Sequence, residues 1–282
     1  MPVHQHGAQR ASTGRFVRLI VLAISLSIAA LGGLAVNADP AAAASGMKVV
    51  VVVGPAGTST SHYISSAKRY AAQARSYGAK VIELYSPNAT WTRVKSAAQG
   101  ANILIYLGHG NGSPSPYGPF SAMTRDGLGL NASAGHGNYN VKYWGEYYIR
   151  TYINLAPNAV VILNHLCYAS GNSEPGNAAP SKSVAMKRVD NFGAGFLRAN
   201  AKAVIAEGHS SASYVLAGLF ASNQTIGQIF MDGPGASGAH DFTFNSVRTP
   251  GKRVWMDPEA PGRYYRSVVG VLSTPASSVR RS

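Results

Sequence analysis

An apolar run leads into a histidine between two glycines in Asn102-Ile103-Leu104-Ile105-Tyr106-Leu107-Gly108-His109-Gly110. A second apolar run, Val160-Val161-Ile162-Leu163-Asn164-His165-Leu166, leads into the single cysteine of the chain, Cys167. Continuous aliphatic runs of this length are typical of strands that are buried on both faces of a parallel sheet. If the two strands are neighbours, their backbones lie about 4.8 Å apart, so His109 and Cys167 are expected to meet at one edge of the sheet.

A cysteine and a histidine placed in this way have the chemistry of nucleophilic catalysis. The sulfur of Cys167 would attack a substrate carbonyl, while His109 would remove the thiol proton and later protonate the leaving group. The glycines beside His109 leave room for a substrate backbone and present amide N–H groups to an oxyanion. The competing interpretation is a small buried cysteine and an unrelated turn histidine.

The rest of the chain alternates between apolar runs and helix-type segments. Strands are predicted at 48–53, 80–84, 102–107, 159–163 and 202–206, with a sixth at 267–272 on an edge of the sheet. Helices are predicted at 63–77, 92–98, 141–154, 184–199 and 213–231. This alternation predicts an α/β fold, with a mostly parallel sheet of about six strands between two layers of helices. No linker divides the chain, so residues 45–282 are interpreted as one domain with a basic C-terminal tail.

Two connections are much longer than the usual loop of about two to six residues. Residues 108–138 contain eight Gly, three Pro and only two charged side chains, and residues 168–183 have a similar Gly-rich and Asn-rich composition. Both connections follow the carboxyl ends of predicted strands, which is where open α/β sheets bind their ligands. The sequence therefore predicts a site at this edge.

The arrangement resembles the caspase-like cysteine peptidases, which include caspases, metacaspases, legumains, clostripain, gingipains and CHAT proteins. Members share one apolar strand that ends in His-Gly and a following strand that ends in Cys, and the matching positions here are His109-Gly110 and Cys167. The resemblance covers most of the chain from Met47 to about Met231. It implies a three-layer caspase-like fold and a peptidase in which His109 is the general acid and base and Cys167 is the nucleophile. It also implies that the amides of Gly110 and Cys167 bind the oxyanion.

The chain departs from the family pattern around the cysteine. Many members have Ala directly before the cysteine and Ser-Gly two residues after it, whereas this chain has Leu166 before Cys167 and Ala169-Ser170-Gly171 after it. A bulkier neighbour and an extra residue would shift the nucleophile or reshape its pocket. A catalytically inactive caspase-like binding protein, or one that interacts with the cell envelope, is therefore the alternative to an active enzyme.

Several polar side chains are candidates for the walls of a substrate pocket. These candidates are Asn111, Asp126, His165 and His209. Some relatives use a carboxylate to bind a basic substrate residue, and the sequence alone does not choose among Asp126, Glu174, Asp190 and Asp241. A zinc site built from His109, His136 and His209 would lack the short ligand spacing of known sites, so neither a metal nor another cofactor is expected.

The N-terminus has the features of a secretory signal peptide. Arg10, Arg15 and Arg18 precede an uncharged apolar run at 19–36, which is followed by small residues suited to cleavage near 38 or 44. An uncleaved N-terminal membrane anchor is the alternative. The sequence therefore predicts a secreted protein.

The charge of the chain indicates where the protein acts more than which reaction it catalyses. There are 25 Lys+Arg against 11 Asp+Glu, for a net charge of +14, and one cysteine excludes an internal disulfide framework. The basic residues do not form a dense stripe with interleaved aromatics, so a specific nucleic-acid partner is not expected. Association with an anionic cell envelope is the hypothesis that the charge favours.

These observations together predict a secreted caspase-like cysteine endopeptidase whose partner is a peptide or protein substrate. The oligomeric state is left open. A group of aromatic residues with helical spacing, interpreted as a packing face, remains outside this functional prediction. Its members are Tyr139, Tyr143, Trp144, Tyr147, Tyr148 and Tyr152.

Overall fold

A computed structural model describes residues 46–282, so the predicted signal peptide lies outside the described residues. The strands of this region are β1 (Lys48–Val53), β2 (Lys80–Tyr85), β3 (Ile103–Leu107), β4 (Leu128–Asn131), β5 (Val141–Trp144), β6 (Ala159–Asn164), β7 (Ala201–Glu207), β8 (Phe242–Asn245), β9 (Arg253–Met256) and β10 (Arg266–Gly270). Eight of them form one sheet in the order β2-β1-β3-β6-β7-β10-β9-β8, while β4 and β5 form a separate pair.

Helices cover both faces of the large sheet. They are α1 (Thr60–Ser76), α2 (Trp91–Ala98), α3 (Glu146–Tyr152), α4 (Lys182–Arg198), α5 (Ser213–Ala221), α6 (Ile226–Met231) and α7 (Ala276–Arg280). One buried cluster joins the sheet to α2, α3 and α4, and a second joins its other face to α1, α5, α6 and α7. The predicted α/β fold with a sheet between two helical layers is confirmed. Within residues 46–282, no helix is both long and apolar enough to cross a bilayer.

The centre of the sheet follows the predicted parallel arrangement. Strand β3 pairs in parallel with β1 and β6, and β6 pairs in parallel with β7. Every residue of β3 and β6 is buried, as expected for strands that are covered on both faces. In the register of β3 and β6, Leu107 lies opposite Asn164. The segments that carry His109 and Cys167 therefore leave the sheet side by side.

The prediction of about six strands is wrong, because the sheet has eight. Strand β10 lies inside the sheet, antiparallel to both β7 and β9, and not at an edge as the run at 267–272 suggested. Strands β8 and β9 then extend the sheet beyond it. Both are only four residues long, and β8 alternates between half-buried and exposed side chains, so neither has the apolar run that marked the other strands.

Two predicted helices are also different in the structure. The segment predicted as a helix at 141–154 begins with β5, whose partner β4 lies inside the connection at 108–138. The segment at 213–231 is divided into α5 and α6, because Thr225 and Gln228 form a capping box that starts a new helix. Long-range pairing in the first case and a local cap in the second case override the average helical pattern.

One basic residue of the C-terminal segment lies in the core. Arg266 on β10 is 2% exposed, and it forms ion pairs with Glu207 on β7 and with Asp257. The guanidinium also donates to the carbonyl oxygen of Phe230 at 2.6 Å, and the hydroxyl of Tyr214 donates to Glu207. The buried carboxylates of Glu207 and Asp257 are thus both neutralised by one buried guanidinium at the end of β7.

Replacing that cation tests its role in the fold. We expect Arg266→Met to lower the free energy of unfolding by about 3–5 kcal/mol, because two carboxylates are left buried without their cation. Burial raises the pKa of Glu207, so lowering the pH from about 7 towards the ordinary glutamate pKa of about 4.3 protonates this carboxyl in the variant and restores part of the stability. Urea unfolding at a series of pH values in this range measures the effect. The control Arg263→Met removes an exposed ion pair with Glu259 and should lower the free energy of unfolding far less, so equal losses in the two variants would contradict this role.

Candidate active site

The segment after β3 packs directly against the backbone of Cys167. A Cβ atom at position 110 would lie 1.9 Å from the Cys167 carbonyl oxygen, so only glycine fits there. Gly112 has a similar constraint, because its Cβ would lie 2.3 Å from the Cβ of Tyr168. These close contacts place the backbone of Gly110 directly beside the backbone of Cys167.

Two backbone amides beside the thiol are free to bind an anion. Within residues 46–282, the amides of Gly110 and Cys167 donate to no protein acceptor, and Gly110 is buried. Buried amides are nearly always paired in folded proteins. Donors that are left unpaired next to a nucleophile are the arrangement that stabilises an oxyanion.

The side chain of Cys167 is half-buried in the wall of an open groove of about 510 Å³. Side chains with functional groups in this groove are Tyr63, His165, Asn172, Ser173, Glu174, Asn177, His209, Arg263 and Tyr265. Leu166 is 2% exposed and packs into the core, so it leaves the neighbouring thiol accessible. The departure from Ala at position 166 is therefore accommodated inside the protein.

The resting thiol is protonated. Burial raises the pKa of Cys167 to about 11, and the negative charge of Glu174 adds to the shift. A thiolate is the reactive form of cysteine, so the thiol of the free protein is weakly reactive at neutral pH. Any reaction that uses Cys167 as a nucleophile would need a base to remove this proton.

His165 lies in the same groove as Cys167. Its backbone has a φ of 60°, and its ring stacks on Tyr63 with centroids 5.6 Å apart. Burial lowers the pKa of His165, and Nδ1 lies 3.1 Å from the carbonyl oxygen of Gly208. The neutral imidazole therefore donates a hydrogen bond from Nδ1 to this carbonyl oxygen, and Nε2 is its acceptor nitrogen. A left-handed turn, and not the alternation of an extended strand, brings it into this wall.

The segment after β7 also lines the groove. His209 is exposed there, and its ring centroid lies 3.9 Å from that of Tyr265. The amide of Gly208 donates to the carbonyl oxygen of Tyr265 at 2.7 Å, which fixes this wall to the start of β10. Both predicted pocket histidines, His165 and His209, thus line one groove with Cys167.

His109 lines a second recess and not the groove that holds Cys167. The side chain of His109 is exposed, and the recess has a volume of about 360 Å³. Its other lining residues are Pro55, Ala56, Gly57, Thr58, Asn138, Tyr139 and Val141. The thiol and the imidazole therefore line two different depressions.

Two predicted pocket residues have structural roles instead. Asn111 donates from its side chain to the carbonyl oxygen of Thr124 and accepts from Arg125, so both ends of its amide are used. Asp126 is fully buried and accepts from the amide of Ser113 at 3.0 Å, and burial raises its pKa to about 8. Neither side chain lines the groove that holds Cys167.

The structure distinguishes among the four candidate carboxylates. Asp190 is buried and accepts from the amides of Val247 and Arg248, while Asp241 accepts from the indole of Trp255. Glu174 alone among the four lines the groove with Cys167, and it accepts from the hydroxyl of Tyr117 at 2.8 Å. It is the acidic group that a bound ligand would meet.

Tyr63 and Asn172 line the groove but are not among the pocket residues predicted from the sequence. Tyr63 comes from α1, which lies more than one hundred residues before Cys167 and carried no motif. Asn172 is 8% exposed, and its side-chain oxygen has no partner within the described residues. The sequence feature that could have indicated Asn172 as a pocket residue is its position in the Gly-rich and Asn-rich connection at 168–183.

No protein-family model and no curated protein matches the chain. Solved structures that are similar to it include two of low sequence identity. A structural-genomics protein from Geobacter sulfurreducens has a TM-score of 0.34 and 13% sequence identity, over 68% of this chain and 90% of the other. The Arg-specific cysteine proteinase gingipain R has a TM-score of 0.36 and 11% identity, over 83% of this chain and 62% of the proteinase chain. At these scores, function has to be inferred from the residues of the chain itself.

The protonated thiol makes a specific prediction about chemical labelling. We expect the rate of Cys167 alkylation by iodoacetamide in the free protein to rise about tenfold per pH unit between about pH 7 and pH 10, because the thiolate fraction rises in this way below the pKa. Intact mass spectrometry follows the single thiol without ambiguity. A free cysteine with a pKa of about 8.5 is the reference and levels off earlier. A plateau already near pH 7 would mean that the thiolate is preformed.

Proposed function

We propose that the protein is a cysteine endopeptidase in which Cys167 and His109 act on a peptide bond held between the groove and the recess. The observation that carries this proposal is the contact between Gly110 and the Cys167 backbone, with two unpaired amides beside an accessible thiol. A peptide that crosses this contact would place its scissile carbonyl at the thiol and its leaving amine towards His109. The likeness of the His-Gly and Cys positions to the caspase-like peptidases agrees with these roles.

The chemistry of the proposed cycle is complete without a cofactor. His109 accepts the thiol proton, and Cys167 Sγ forms a bond with the carbonyl carbon while the oxyanion accepts from the amides of Gly110 and Cys167. The C–N bond breaks as His109 returns the proton to the departing amine, which leaves a thioester on Cys167. Water, deprotonated by His109, attacks the thioester and releases a carboxylic acid and the thiol.

Glu174 is proposed to select a substrate with a basic side chain. Its carboxylate lines the groove on the side of Cys167, and the unpartnered oxygen of Asn172 adds a second acceptor for N–H donors. A bound ammonium or guanidinium would also offset the charge of Glu174, which contributes to the raised pKa of the thiol. Binding of the preferred substrate would therefore make the nucleophile easier to ionise.

The proposed location is outside the cell. It is supported by the signal-like sequence before residue 45 and by the basic composition of the chain. The peptidase would then act on peptides or proteins at an anionic cell envelope.

Substitution of the two proposed catalytic residues tests the mechanism. We expect Cys167→Ala to abolish cleavage of a peptide library, since no nucleophile remains, and His109→Ala to lower kcat/KM by about a hundredfold or more, since the proton has no acceptor. His136→Ala is the matched control, because His136 is an exposed histidine between two glycines and lies outside both depressions. Product analysis by mass spectrometry measures the rates.

Failure of this test has a clear meaning. Absence of cleavage of every library peptide by the wild-type chain would remove the enzyme proposal and favour the catalytically inactive caspase-like binding protein. Equal activity of wild type and His109→Ala would retain a peptidase but assign the base to another group.

The role proposed for Glu174 is tested by measuring substrate preference and thiol reactivity separately. We expect Glu174→Gln to lower kcat/KM for peptides with Arg or Lys before the cleaved bond by about tenfold or more, because a charge pair is lost. The same variant should alkylate faster than wild type at about pH 8, because removal of the negative charge lowers the pKa of Cys167. Asp241→Asn is the control and should change neither rate. Slower alkylation of Glu174→Gln, or an unchanged preference for basic residues, would contradict the assignment.

A further inference from the structure

An aromatic cluster surrounds α3 on the face of the sheet that also carries α2. The Trp91 and Trp144 rings stack with centroids 5.0 Å apart, and Trp144 meets Tyr148 edge-on at 4.7 Å. Tyr152 extends the cluster, with its ring 6.1 Å from that of Tyr148, and Tyr147 contacts both of these tyrosines. Trp91 is buried in the core, whereas Tyr152 is 45% exposed. The aromatic face that was interpreted as a packing face is therefore covered by the core at one end and exposed to solvent at the other.

Three cations lie over the rings of this cluster. The Lys142 ammonium lies 4.6 Å from the Trp144 ring centroid. The Lys95 ammonium lies 5.9 Å from the Tyr152 ring, and the Arg150 guanidinium lies 5.8 Å from the Tyr147 ring. The aromatic–basic patch is defined by these eight residues, Trp91, Lys95, Lys142, Trp144, Tyr147, Tyr148, Arg150 and Tyr152.

The patch has no opposing negative charge of its own. Within residues 46–282, Lys95, Lys142 and Arg150 form no ion pair with a carboxylate. Glu146 is the acidic residue of α3, but it is 2% exposed and is neutralised by Arg198 and Arg248. The cations keep hydrogen-bonding capacity towards solvent, and the stacked rings hold them in place.

Few acidic side chains lie at the surface to offset the basic ones. Five carboxylates of the described region are buried, namely Asp126, Glu146, Asp190, Glu207 and Asp257. Three of these, Glu146, Glu207 and Asp257, are paired with arginines, so they do not oppose the unpaired cations of the patch. None of the patch residues lines the groove or the recess of the proposed active site. A function separate from catalysis is needed to explain an unpaired basic surface built on aromatic rings.

We propose that the aromatic–basic patch binds an anionic polysaccharide. Lys and Arg meet acidic groups on the chain by charge-assisted hydrogen bonds, and the partly exposed tyrosines offer ring edges and hydroxyls to the sugar rings. A bilayer surface fits less well, because insertion needs protruding apolar side chains and the exposed aromatic residue here carries a hydroxyl. Single-stranded nucleic acid also fits less well, because base stacking needs open ring faces and here cations cover three of the rings.

Binding of heparin to the full chain tests this proposal, with calorimetry at about physiological ionic strength. The triple variant Lys95→Gln, Lys142→Gln, Arg150→Gln is expected to weaken binding by about tenfold or more. The control variant Lys68→Gln, Lys187→Gln, Arg281→Gln removes the same charge from exposed positions outside the patch and is expected to change the affinity by less than about twofold. Near-UV circular dichroism shows whether each variant keeps its fold.

A second pair of variants tests the rings without changing charge. Tyr147→Ala with Tyr152→Ala is expected to weaken heparin binding by about threefold, whereas Tyr139→Ala, at a highly exposed tyrosine outside the patch, should leave it unchanged. No heparin binding, equal losses in the two triple variants, or tighter binding to oligothymidylate or phosphatidylglycerol vesicles than to heparin would each overturn the proposal. These measurements do not depend on peptidase activity.

Discussion

The parallel pairing of β3 with β6 is the constraint on which the proposed site depends. Their register sets Leu107 opposite Asn164, so the two chain segments leave the sheet at the same level. Gly110 then approaches the Cys167 carbonyl more closely than any side chain would allow. A one-residue shift in this register would turn the side chains to opposite faces and separate the thiol from the His109-Gly110 segment. The buried ion pairs of Arg266 fix β10 against β7, and with it the part of the groove that follows β7.

Electrostatics in the groove determines when the nucleophile becomes reactive. Burial and the charge of Glu174 keep the thiol protonated in the free protein. The same carboxylate is the group that a basic substrate side chain would neutralise. In the proposed peptidase, selection of substrate and activation of the thiol are thus two effects of one charge, and a thiol that is unreactive in the empty groove is protected from adventitious electrophiles.

The sequence predicted the parts of the fold that rest on local pattern. The buried runs of β1, β3, β6 and β7 and the convergence of the His109 and Cys167 segments could be predicted, because the period of apolar residues and the geometry of a parallel sheet determine them. Strands β4, β5, β8 and β9 could not, since each is four residues long and is stabilised by pairing with a distant or antiparallel partner. The sequence left four carboxylates as candidates for the role proposed for Glu174, because only the folded connection at 168–183 brings Glu174 into the groove. Tyr63 had no local signal at all, for its place follows from the packing of α1 on the sheet.

The most direct measurement of the central claim is the mass of an acyl-enzyme. Wild-type protein mixed with a peptide that contains a basic residue, and quenched with acid before turnover is complete, should gain the mass of the N-terminal product less one water, and peptide mapping should locate the adduct on Cys167. The account predicts this thioester in the wild type and none in Cys167→Ala. Peptide cleavage by the wild type without any adduct on Cys167, or an adduct that forms equally well in Cys167→Ala, would contradict it.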